Sequence, residues 1–282
     1  MPADYWALVK PRITLMVALT GVVGYVMAGS ASASTPGLLA SFLGTALVAA
    51  GASCFNMLLE RRTDALMRRT AGRPLPARRM SSSDALLFGT GLTSSGLLLL
   101  SLLTNPLAAL VAAITWASYV FAYTPLKTRT SLATIVGAVP GALPPVIGWA
   151  SARNSLDPGA LVLFAILFFW QIPHFLAIAW MYREDYARGG ILMLPVLDPE
   201  GRITGRQAIA NSLALTLVSL LPTAAGMAGL VYFAGALLLG LAITAVALRA
   251  ALLRTPGSIR ALFAASILYL AALCGLLLLN RA

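Results

Sequence analysis

The sequence has little charge and very little acid. Only 10% of its 282 residues are Asp, Glu, Lys or Arg, and nine of these are acidic, whereas soluble domains carry about 25% charged residues. A chain so poor in charge and 59% hydrophobic is typical of a membrane protein and excludes the soluble globular class. Its two cysteines, Cys54 and Cys274, lie in apolar segments, so the sequence suggests neither a disulfide framework nor a zinc site.

The sequence instead contains several long apolar runs. A transmembrane helix needs about 20 apolar residues to cross a hydrocarbon layer of roughly 30 Å, and uninterrupted runs of this length favour helices over a membrane β-barrel. We therefore predict an all-α, polytopic membrane helix bundle of about nine transmembrane helices, forming a single domain over residues 1–282. The predicted spans are 13–29, 38–59, 85–103, 107–124, 132–150, 159–181, 208–226, 230–248 and 261–279.

The basic residues predict how the chain is oriented. Lys and Arg in short loops are retained on the cytoplasmic side of a membrane. If the N-terminus is cytoplasmic and the C-terminus outside, nearly all basic residues fall on the inner side, and only Arg153 and Arg281 fall on the outer side. Attraction to anionic lipid headgroups is an ordinary explanation for the net charge of +11, so no nucleic-acid partner is expected.

Two carboxylates and several arginines follow the second apolar run, in NMLLERRTDALMRRTAGRPLP at residues 56–76. Asn56, Glu60 and Asp64 are spaced four apart, so they share one face if the second helix continues past its membrane end. Their oxygens are of the type that Mg²⁺ takes together with substrate phosphates. Arg69 and Arg73 are also four apart and carry planar donors that suit phosphate oxygens. Together these residues predict a metal-dependent diphosphate site.

A simpler interpretation of this segment stays open. Glu60 and Asp64 could pair with neighbouring arginines as a solvated charged face at the membrane surface, as charge runs usually do. Asn56 lies one turn inside the apolar run. It favours the site, because polar residues within a span tend to be functional.

A second polar group lies on the sixth predicted span, in FFWQIPHF at residues 168–175. His174 is the only histidine, and Trp170 lies one turn before it. Pro173 is expected to kink this helix, and broken helices at mid-membrane commonly border substrate cavities. The alternative is that His174 is a core residue bonded to a neighbour, which is the more common role of a lone histidine on an apolar helix.

Two loops on the same predicted side carry further candidates. Tyr182, Asp185 and Tyr186 follow the sixth span, and they indicate either an interfacial belt or a second wall of the metal or diphosphate site. Lys127 and Arg129 lie at the inner end of the fourth span, where they either anchor to headgroups or bind phosphate. In the fifth span, the prolines of GAVPGALPP at 137–145 predict a distorted helix.

Three stretches of the chain resemble one known family. Residues 56–75 are similar to the pattern N-x-x-x-[DE]-x-x-x-D followed by M-x-R-T-x-x-R-P-L. The segments YTPLKTRT at 123–130 and GALPPVIG at 141–148 form the second match, and PH at 173–174 with DYARGGILMLP at 185–195 forms the third. These motifs resemble those of the membrane prenyltransferase superfamily, and specifically of its protoheme IX farnesyltransferase (heme O synthase) branch. The resemblance runs from about residue 10, at KPRITLMV, to about residue 200.

The resemblance implies a reaction in the bacterial cytoplasmic (inner) membrane. A farnesyl group would pass from farnesyl diphosphate to a vinyl carbon of protoheme IX (heme B), with addition of water, giving heme O and diphosphate. The implied cofactor is Mg²⁺, and the implied partners besides both substrates are the lipid bilayer and a downstream heme A synthase. The resemblance carries over five catalytic residues: Asn56, Glu60, Asp64, Lys127 and Asp185. All of them except Lys127 are implied metal ligands. The substrate-binding residues, with His174 positioning the heme, are Arg69, Arg73, Tyr123, Arg129, Trp170, His174, Tyr182 and Tyr186.

The chain departs from the family patterns at a few positions. Leu192 stands where the branch commonly has proline. Quinone-type relatives carry a second D-x-x-x-D, where this chain has Tyr182 and Tyr186 around Asp185. This difference favours the heme branch and leaves open whether the second loop binds metal directly. The alternatives are a prenyltransferase acting on an aromatic quinone precursor and a secondary transporter, which would require ionisable residues at membrane depth and inverted repeats.

Overall fold

The structure is a computed structural model of the protein and describes residues 2–29 and 34–281. These residues form α-helices and one π-helical segment, Ser118–Tyr123, joined by turns and loops. The α-helices are α1 (Pro2–Val9), α2 (Pro11–Met27), α3 (Thr35–Leu59), α4 (Arg61–Leu66), α5 (Ser82–Leu103), α6 (Pro106–Ala117), α7 (Thr124–Leu126), α8 (Ala133–Ala142), α9 (Pro144–Arg153), α10 (Pro158–Met181), α11 (Arg183–Arg188), α12 (Leu194–Leu197), α13 (Arg202–Val218), α14 (Leu221–Ala224), α15 (Leu230–Leu253) and α16 (Pro256–Leu279).

The described helices are long and apolar enough to cross a membrane eight times. The count becomes nine if α1 and α2, which meet at an angle of 43°, form one span. Each of the nine predicted spans overlaps one of these helices or helix pairs. The prediction of an all-α membrane bundle is therefore confirmed, while the side on which each terminus lies stays a prediction.

Prolines and small polar side chains determine where several spans begin. Pro106, Pro158 and Pro256 are the first residues of α6, α10 and α16, a position where the missing N–H of proline removes no helical hydrogen bond. Before α6, Asn105 Oδ1 accepts a hydrogen bond from the amide of Ala108 at 2.9 Å, which satisfies one of the free donors of the first turn. These starts separate the spans from the loops at the two ends of the bundle.

The close packing of α2 against α9 depends on glycine. A Cβ added at Gly24 would lie 1.9 Å from the carbonyl oxygen of Pro145, and one at Gly148 would lie 1.8 Å from that of Gly21. Small residues allow such close backbone contact in membranes, where lipid provides no hydrophobic force between helices. Large apolar side chains instead face outward, as at Leu87, which is 72% exposed.

Prolines divide the fifth span but not the sixth. The fifth span is broken at Leu143 between α8 and α9, with Pro144 opening α9, so the predicted distortion is present. In contrast, α10 continues as one helix through Pro173. Because proline has no N–H, the carbonyl of Phe169 has no helical donor at that turn.

Polar contacts gather at one end of the bundle, which we call the charged rim. It is formed by the junction of α3 with α4, the loop 67–81, the end of the fourth span at Lys127 and the region of α11. Contacts across these elements include Lys127 with Glu60 and the backbone of Arg68 with Asp185. The charged rim holds most of the predicted site residues.

Candidate active site

Asn56, Glu60 and Asp64 are stacked where α3 gives way to α4. α3 ends one residue before Glu60 and α4 begins one residue after it. The amide of Glu60 nevertheless donates to the carbonyl of Asn56 at 2.9 Å, and the amide of Asp64 donates to that of Glu60 at 2.7 Å. Asn56 and Asp64 are buried, whereas Arg61 and Arg62 between them are exposed. The helical pattern thus continues across the break and brings the three predicted residues to one side.

Both carboxylates have a cation at contact distance. Lys127 Nζ lies 2.7 Å from Glu60 Oε1, outside hydrogen-bond geometry, and Arg73 Nη1 donates to Asp64 Oδ2 at 2.7 Å. These pairs are largely removed from solvent, since the side chains of Lys127 and Glu60 are each 12% exposed and that of Asp64 is 1% exposed. Removal of one partner from such a pair is costly, because it leaves a buried charge uncompensated.

Lys10 is a third cation of this cluster, and the motif spacing did not predict it. It lies between α1 and α2 with φ 47°, a left-handed backbone conformation that residues with a side chain rarely adopt. Its Nζ donates to Asn56 Oδ1 at 2.9 Å, and Asn56 Nδ2 donates to Thr124 Oγ1 at 3.3 Å. The sequence signal that could have identified Lys10 was its place at the start of KPRITLMV, directly before the first apolar run.

Lys127 also lies over an aromatic ring. Its Nζ is 4.4 Å from the ring centroid of Tyr123, and the rings of Tyr119 and Tyr123 are 5.3 Å apart. Both tyrosines belong to the π-helical segment, an irregularity that is frequent at functional sites. Burial alone lowers the pKa of Lys127, but Tyr123 and Glu60 outweigh it and raise the pKa above the ordinary lysine value. Lys127 is therefore charged at neutral pH.

The oxygens of this cluster suit a hard divalent cation. Asp64 Oδ1 is buried and accepts no hydrogen bond from any described residue, which is uncommon for a polar atom in a folded protein. Asn56 and Glu60 add an amide and a carboxylate oxygen, donor types that bind Mg²⁺. Among residues 2–29 and 34–281, no three His, Cys, Asp or Glu side chains are grouped to hold a metal. A site here would therefore depend on the Asn56 amide as well as two carboxylates, and with that amide the residues present fit the predicted ion.

Asp185 holds the loop 67–81 in place. Its Oδ1 accepts from the amide of Arg68 at 3.1 Å and its Oδ2 from the amide of Arg69 at 3.2 Å, and Arg188 pairs with Oδ1. Burial alone would raise the pKa of Asp185, but these donors lower it below the ordinary aspartate value. The contacts thus identify Asp185 as a positioning residue, and its role as a metal ligand stays a prediction.

Arg69 is held between the two tyrosines of the second loop. Its guanidinium carbon lies 4.7 Å from the ring centroid of Tyr182 and 5.9 Å from that of Tyr186, and its Nη2 donates to the Tyr186 hydroxyl at 3.4 Å. Ring contacts of this kind fix a guanidinium while most of its N–H donors remain available to an anion. Arg69, Tyr182, Asp185 and Tyr186 form what we call the loop wall.

Residues 189–192, which follow α11, contact other parts of the charged rim. The amide of Leu192 donates to the carbonyl of Lys127 at 2.8 Å, a bond that a proline at this position could not make. A Cβ at Gly189 would lie 2.9 Å from Met67 Cγ, so glycine allows the two loops to pack closely. Met67 and Ile191 belong to one small buried apolar cluster.

Trp170 and His174 face α16. His174 Nδ1 lies 2.8 Å from Ser266 Oγ, and Trp170 Nε1 donates to the carbonyl of Ser266 at 2.7 Å. The His174 ring is stacked between Trp170 at 5.0 Å and Phe263 at 5.1 Å. His174 is therefore bonded to a neighbouring side chain, as expected for a core histidine. Only its Nε2 atom is left for another partner.

The structure divides the predicted site residues into groups. Arg129 is exposed, and its side chain forms no hydrogen bond or ion pair within the described residues. The aromatic pair on α10 consists of Trp170 and His174, and the loop wall is as defined above. The carboxylate cluster, which includes Lys10 in addition to the predicted residues, comprises Lys10, Asn56, Glu60, Asp64, Arg73, Tyr123 and Lys127.

An apolar bundle with a buried, mainly cationic cluster at one end defines a class of membrane protein. The cluster suits the anionic head of an amphiphile whose tail lies among the helices. Residues 16–279 match the UbiA prenyltransferase family. The chain belongs to this family and is a multi-pass membrane prenyltransferase.

Curated and solved relatives agree with this assignment. The protoheme IX farnesyltransferase of Solibacter usitatus (strain Ellin6076) is 48% identical over 99% of this chain and 98% of its own length. A solved structure from work on digeranylgeranylglyceryl phosphate synthase in membranes has a TM-score of 0.81 at 15% identity, covering 99% of this chain and 97% of that chain. A UbiA homolog from Archaeoglobus fulgidus, bound to GPP and Mg²⁺, has a TM-score of 0.66 at 18% identity, covering 97% of this chain and 99% of that chain. At these identities the solved structures support the fold alone.

Proposed function

We propose that the protein transfers the farnesyl group of farnesyl diphosphate to a vinyl group of protoheme IX, giving heme O and diphosphate. The allylic carbon–oxygen bond breaks with its electron pair left on diphosphate, and the vinyl π electrons form the new carbon–carbon bond. Water then supplies the hydroxyl of heme O, and its second proton goes to solvent. The name of the 48% identical relative supports this pair of substrates.

The observation that carries the proposal is the composition of the carboxylate cluster. Three cations, Lys10, Arg73 and Lys127, surround two carboxylates. The side chains of Lys127, Glu60 and Asp64 are largely buried, and the hydrogen bond from Lys10 to Asn56 is partly buried. A purely solvated charged face would leave these groups exposed. The alternative in which Glu60 and Asp64 merely pair with surface arginines is therefore disfavoured.

The chain's own cations stabilise the leaving group in this mechanism. As the carbon–oxygen bond breaks, negative charge accumulates on the diphosphate oxygens. Arg73 and Lys127 lie in fixed positions before the reaction, so their charge acts without reorganisation, and in a site of low polarity it acts strongly. Arg69, fixed by Tyr182 and Tyr186, adds N–H donors from the loop wall, and the exposed Arg129 guides the anion to the rim.

Mg²⁺ would be held by Asn56, Glu60 and Asp64. When bound, it neutralises part of the charge on the diphosphate. Lys10 and Thr124 fix the orientation of the Asn56 amide from both of its ends, in the way that outer partners orient metal ligands. The A. fulgidus homolog, which binds Mg²⁺ together with GPP, supports a divalent ion in this family.

The apolar interior of the bundle protects the allylic cation. A farnesyl chain has no polar atom, so it is favoured among the helices rather than at the rim. Exclusion of water there prevents premature hydrolysis. The faces of Tyr123 at the cluster and Trp170 on α10 are the aromatic surfaces that we assign to cation stabilisation.

His174 is our candidate for positioning the heme. Its Nδ1 is engaged with Ser266, and its ring is stacked between Trp170 and Phe263. The hydroxyl of Ser266 donates to the carbonyl of Phe263 at 2.6 Å, so Nδ1 of His174 is the donor in its contact with Ser266. The lone pair of Nε2 is then left to ligate the iron or to accept a hydrogen bond, and neutral imidazole is a common axial ligand of heme. Heme O would pass to a downstream heme A synthase in the same bacterial cytoplasmic membrane.

Product analysis tests the proposal directly. Purified protein in lipid nanodiscs is incubated with Mg²⁺, farnesyl diphosphate and an equimolar mixture of heme B and an aromatic quinone precursor. Mass spectrometry then identifies the prenylated product. We expect the mass of heme O and no prenylated quinone precursor. Prenylation of the quinone precursor alone would assign the chain to the quinone-type branch.

A further inference from the structure

A second basic cavity lies behind the carboxylate cluster. Its volume is about 630 Å³, and it is lined by α1, α4, the loop 67–81 and the start of α5. No residue of the carboxylate cluster or of the loop wall lines it. Its charged residues are four arginines and two aspartates, namely Arg61, Arg62, Arg78, Arg79, Asp4 and Asp84. The excess of arginine favours an anionic occupant.

α4 separates this cavity from the active site. Asp64 points into the carboxylate cluster and is 1% exposed, whereas Arg61, Arg62 and Ala65 of the same short helix line the second cavity. The loop that follows is divided in the same way, because Arg73 bonds Asp64 while Arg78 lines the second cavity. The two sites therefore lie back to back on one segment.

Two of the four arginines have guanidinium groups that bond to no described residue. Arg79 is occupied, since its Nε donates to Asp4 Oδ1 at 2.9 Å and its Nη2 to the carbonyl of Gly72 at 3.0 Å. Within the part of the chain that the structure describes, the guanidinium groups of Arg62 and Arg78 form no hydrogen bond or ion pair. Planar guanidinium donors of this kind match the oxygens of a phosphate group.

Arg78 also has a strained backbone. Its φ is +55°, in the left-handed region that favours glycine over residues with a Cβ. Unfavourable conformations of this kind concentrate at functional sites and ligand clamps. Arg78 thus places a side chain at the cavity from a backbone conformation that glycine would adopt more readily.

The depth of the cavity points to a lipid headgroup. α5 begins at Ser82, which lines the cavity. One turn further along this spanning helix, Leu86 and Leu87 are 45% and 72% exposed, as expected for side chains that face lipid. The cavity thus lies where a span enters the apolar layer, which is the level of phospholipid phosphates.

We propose that this cavity binds the phosphate group of an anionic membrane lipid through Arg62 and Arg78. The acyl chains of the lipid lie along the exposed leucines of α5. The occupant stabilises α4 and the loop 67–81 from the side opposite to the active site. A free phosphate offers the same chemistry without acyl chains, so the test separates the two sources.

Lipid titration by native mass spectrometry of the purified full-length protein tests the site. The probes are dioleoyl phosphatidylglycerol, dioleoyl phosphatidylcholine and inorganic phosphate. We expect the wild type to prefer phosphatidylglycerol, and Arg78→Gly to weaken that binding about tenfold, since a charge-assisted phosphate contact is lost. Because glycine suits the backbone at this position, the variant should fold without loss of melting temperature.

Arg254→Gly is the matched control. Arg254 also has a left-handed backbone, with φ +52°, but its side chain is bonded to the carbonyls of Ala251 and Glu200 and does not line the cavity. This variant should keep the wild-type affinity for phosphatidylglycerol. Inorganic phosphate that displaces the lipid in an Arg78-dependent way would support the phosphate site with a free anion as its source. Equal lipid affinity of the wild type and Arg78→Gly, or an equal loss in both variants, would overturn the proposal.

Discussion

Arg73 donates from Nη1 to Asp64 Oδ2 at 2.7 Å, while the other carboxylate oxygen of Asp64 is buried without a hydrogen-bond partner among the described residues. One oxygen of Asp64 is thus bound to Arg73, a side chain of the type that binds phosphate, and the other oxygen is available to a metal. This pairing joins the two functions that the motif of residues 56–76 predicts. In the proposed mechanism, Asp64 is therefore the residue whose charge we expect to matter most.

Asp64→Asn should abolish transfer while the protein still inserts in the membrane. The change keeps the volume and removes the negative charge that faces Arg73. We expect heme O formation to fall on the order of 10²-fold or more, the effect seen when one group that stabilises a transition state is removed. Asp157→Asn, at an aspartate that pairs with Arg153 away from the charged rim, is the control. Wild-type turnover by Asp64→Asn in isolated membranes would refute its role.

Lys10→Met should reduce turnover roughly 10–100-fold, the range for partners that orient metal ligands. Methionine is one heavy atom shorter than lysine but keeps an unbranched side chain, and the variant loses the donor to Asn56 Oδ1. Activity should become more dependent on the Mg²⁺ concentration, because Asn56 is no longer held in position. Arg12 is exposed and lies two residues after Lys10. Arg12→Met therefore tests whether loss of any positive charge at this end of α2 is enough to reduce turnover. A similar loss in both variants would assign Lys10 to membrane anchoring instead.

Asp185→Asn should impair the loop 67–81. Asparagine has one acceptor oxygen where Asp185 uses two for the amides of Arg68 and Arg69. We expect the KM for farnesyl diphosphate to rise more than kcat falls, and the loop to become more sensitive to trypsin, with no rescue by excess Mg²⁺. Glu184→Gln, at the neighbouring exposed carboxylate, should behave as the wild type. Full rescue of Asp185→Asn by Mg²⁺ would instead identify a metal ligand.

His174→Ala should weaken heme binding or misplace the reacting vinyl group. Ser266→Ala removes only the partner of His174 Nδ1, so it should shift the heme absorbance less than His174→Ala does. Absorbance titration of each variant with heme B, together with heme O formation, measures both effects. An unchanged heme spectrum and unchanged activity in His174→Ala would remove His174 from the substrate site.

Sequence patterns predicted the fold well, because a membrane leaves few choices. Backbone groups in lipid must bond within helices or closed barrels, so long apolar runs determine the spans. The fourfold spacing of Asn56, Glu60 and Asp64 likewise predicted a shared face, since it depends only on local helical bonding. That bonding continues even through the break at Glu60.

Tertiary contacts account for what the sequence did not predict. Lys10 reaches Asn56 across 46 residues, and no local spacing encodes that approach. Asp185 has a carboxylate that suits a metal, yet its two oxygens accept hydrogen bonds from backbone amides more than 100 residues away in the sequence. His174 is bonded to Ser266 on α16. The sequence of α16 predicted an apolar span and no site residue.

Magnesium dependence of product formation tests the central claim most directly, namely that the carboxylate cluster releases diphosphate from an isoprenoid with the help of a divalent ion. Protein in nanodiscs is treated with a chelator, dialysed, and assayed for heme O by mass spectrometry as Mg²⁺ is restored, with Asp64→Asn in parallel. We predict no product after chelation, full recovery of the wild type with Mg²⁺ and no recovery of the variant. Undiminished heme O formation by the metal-free wild type would contradict the account.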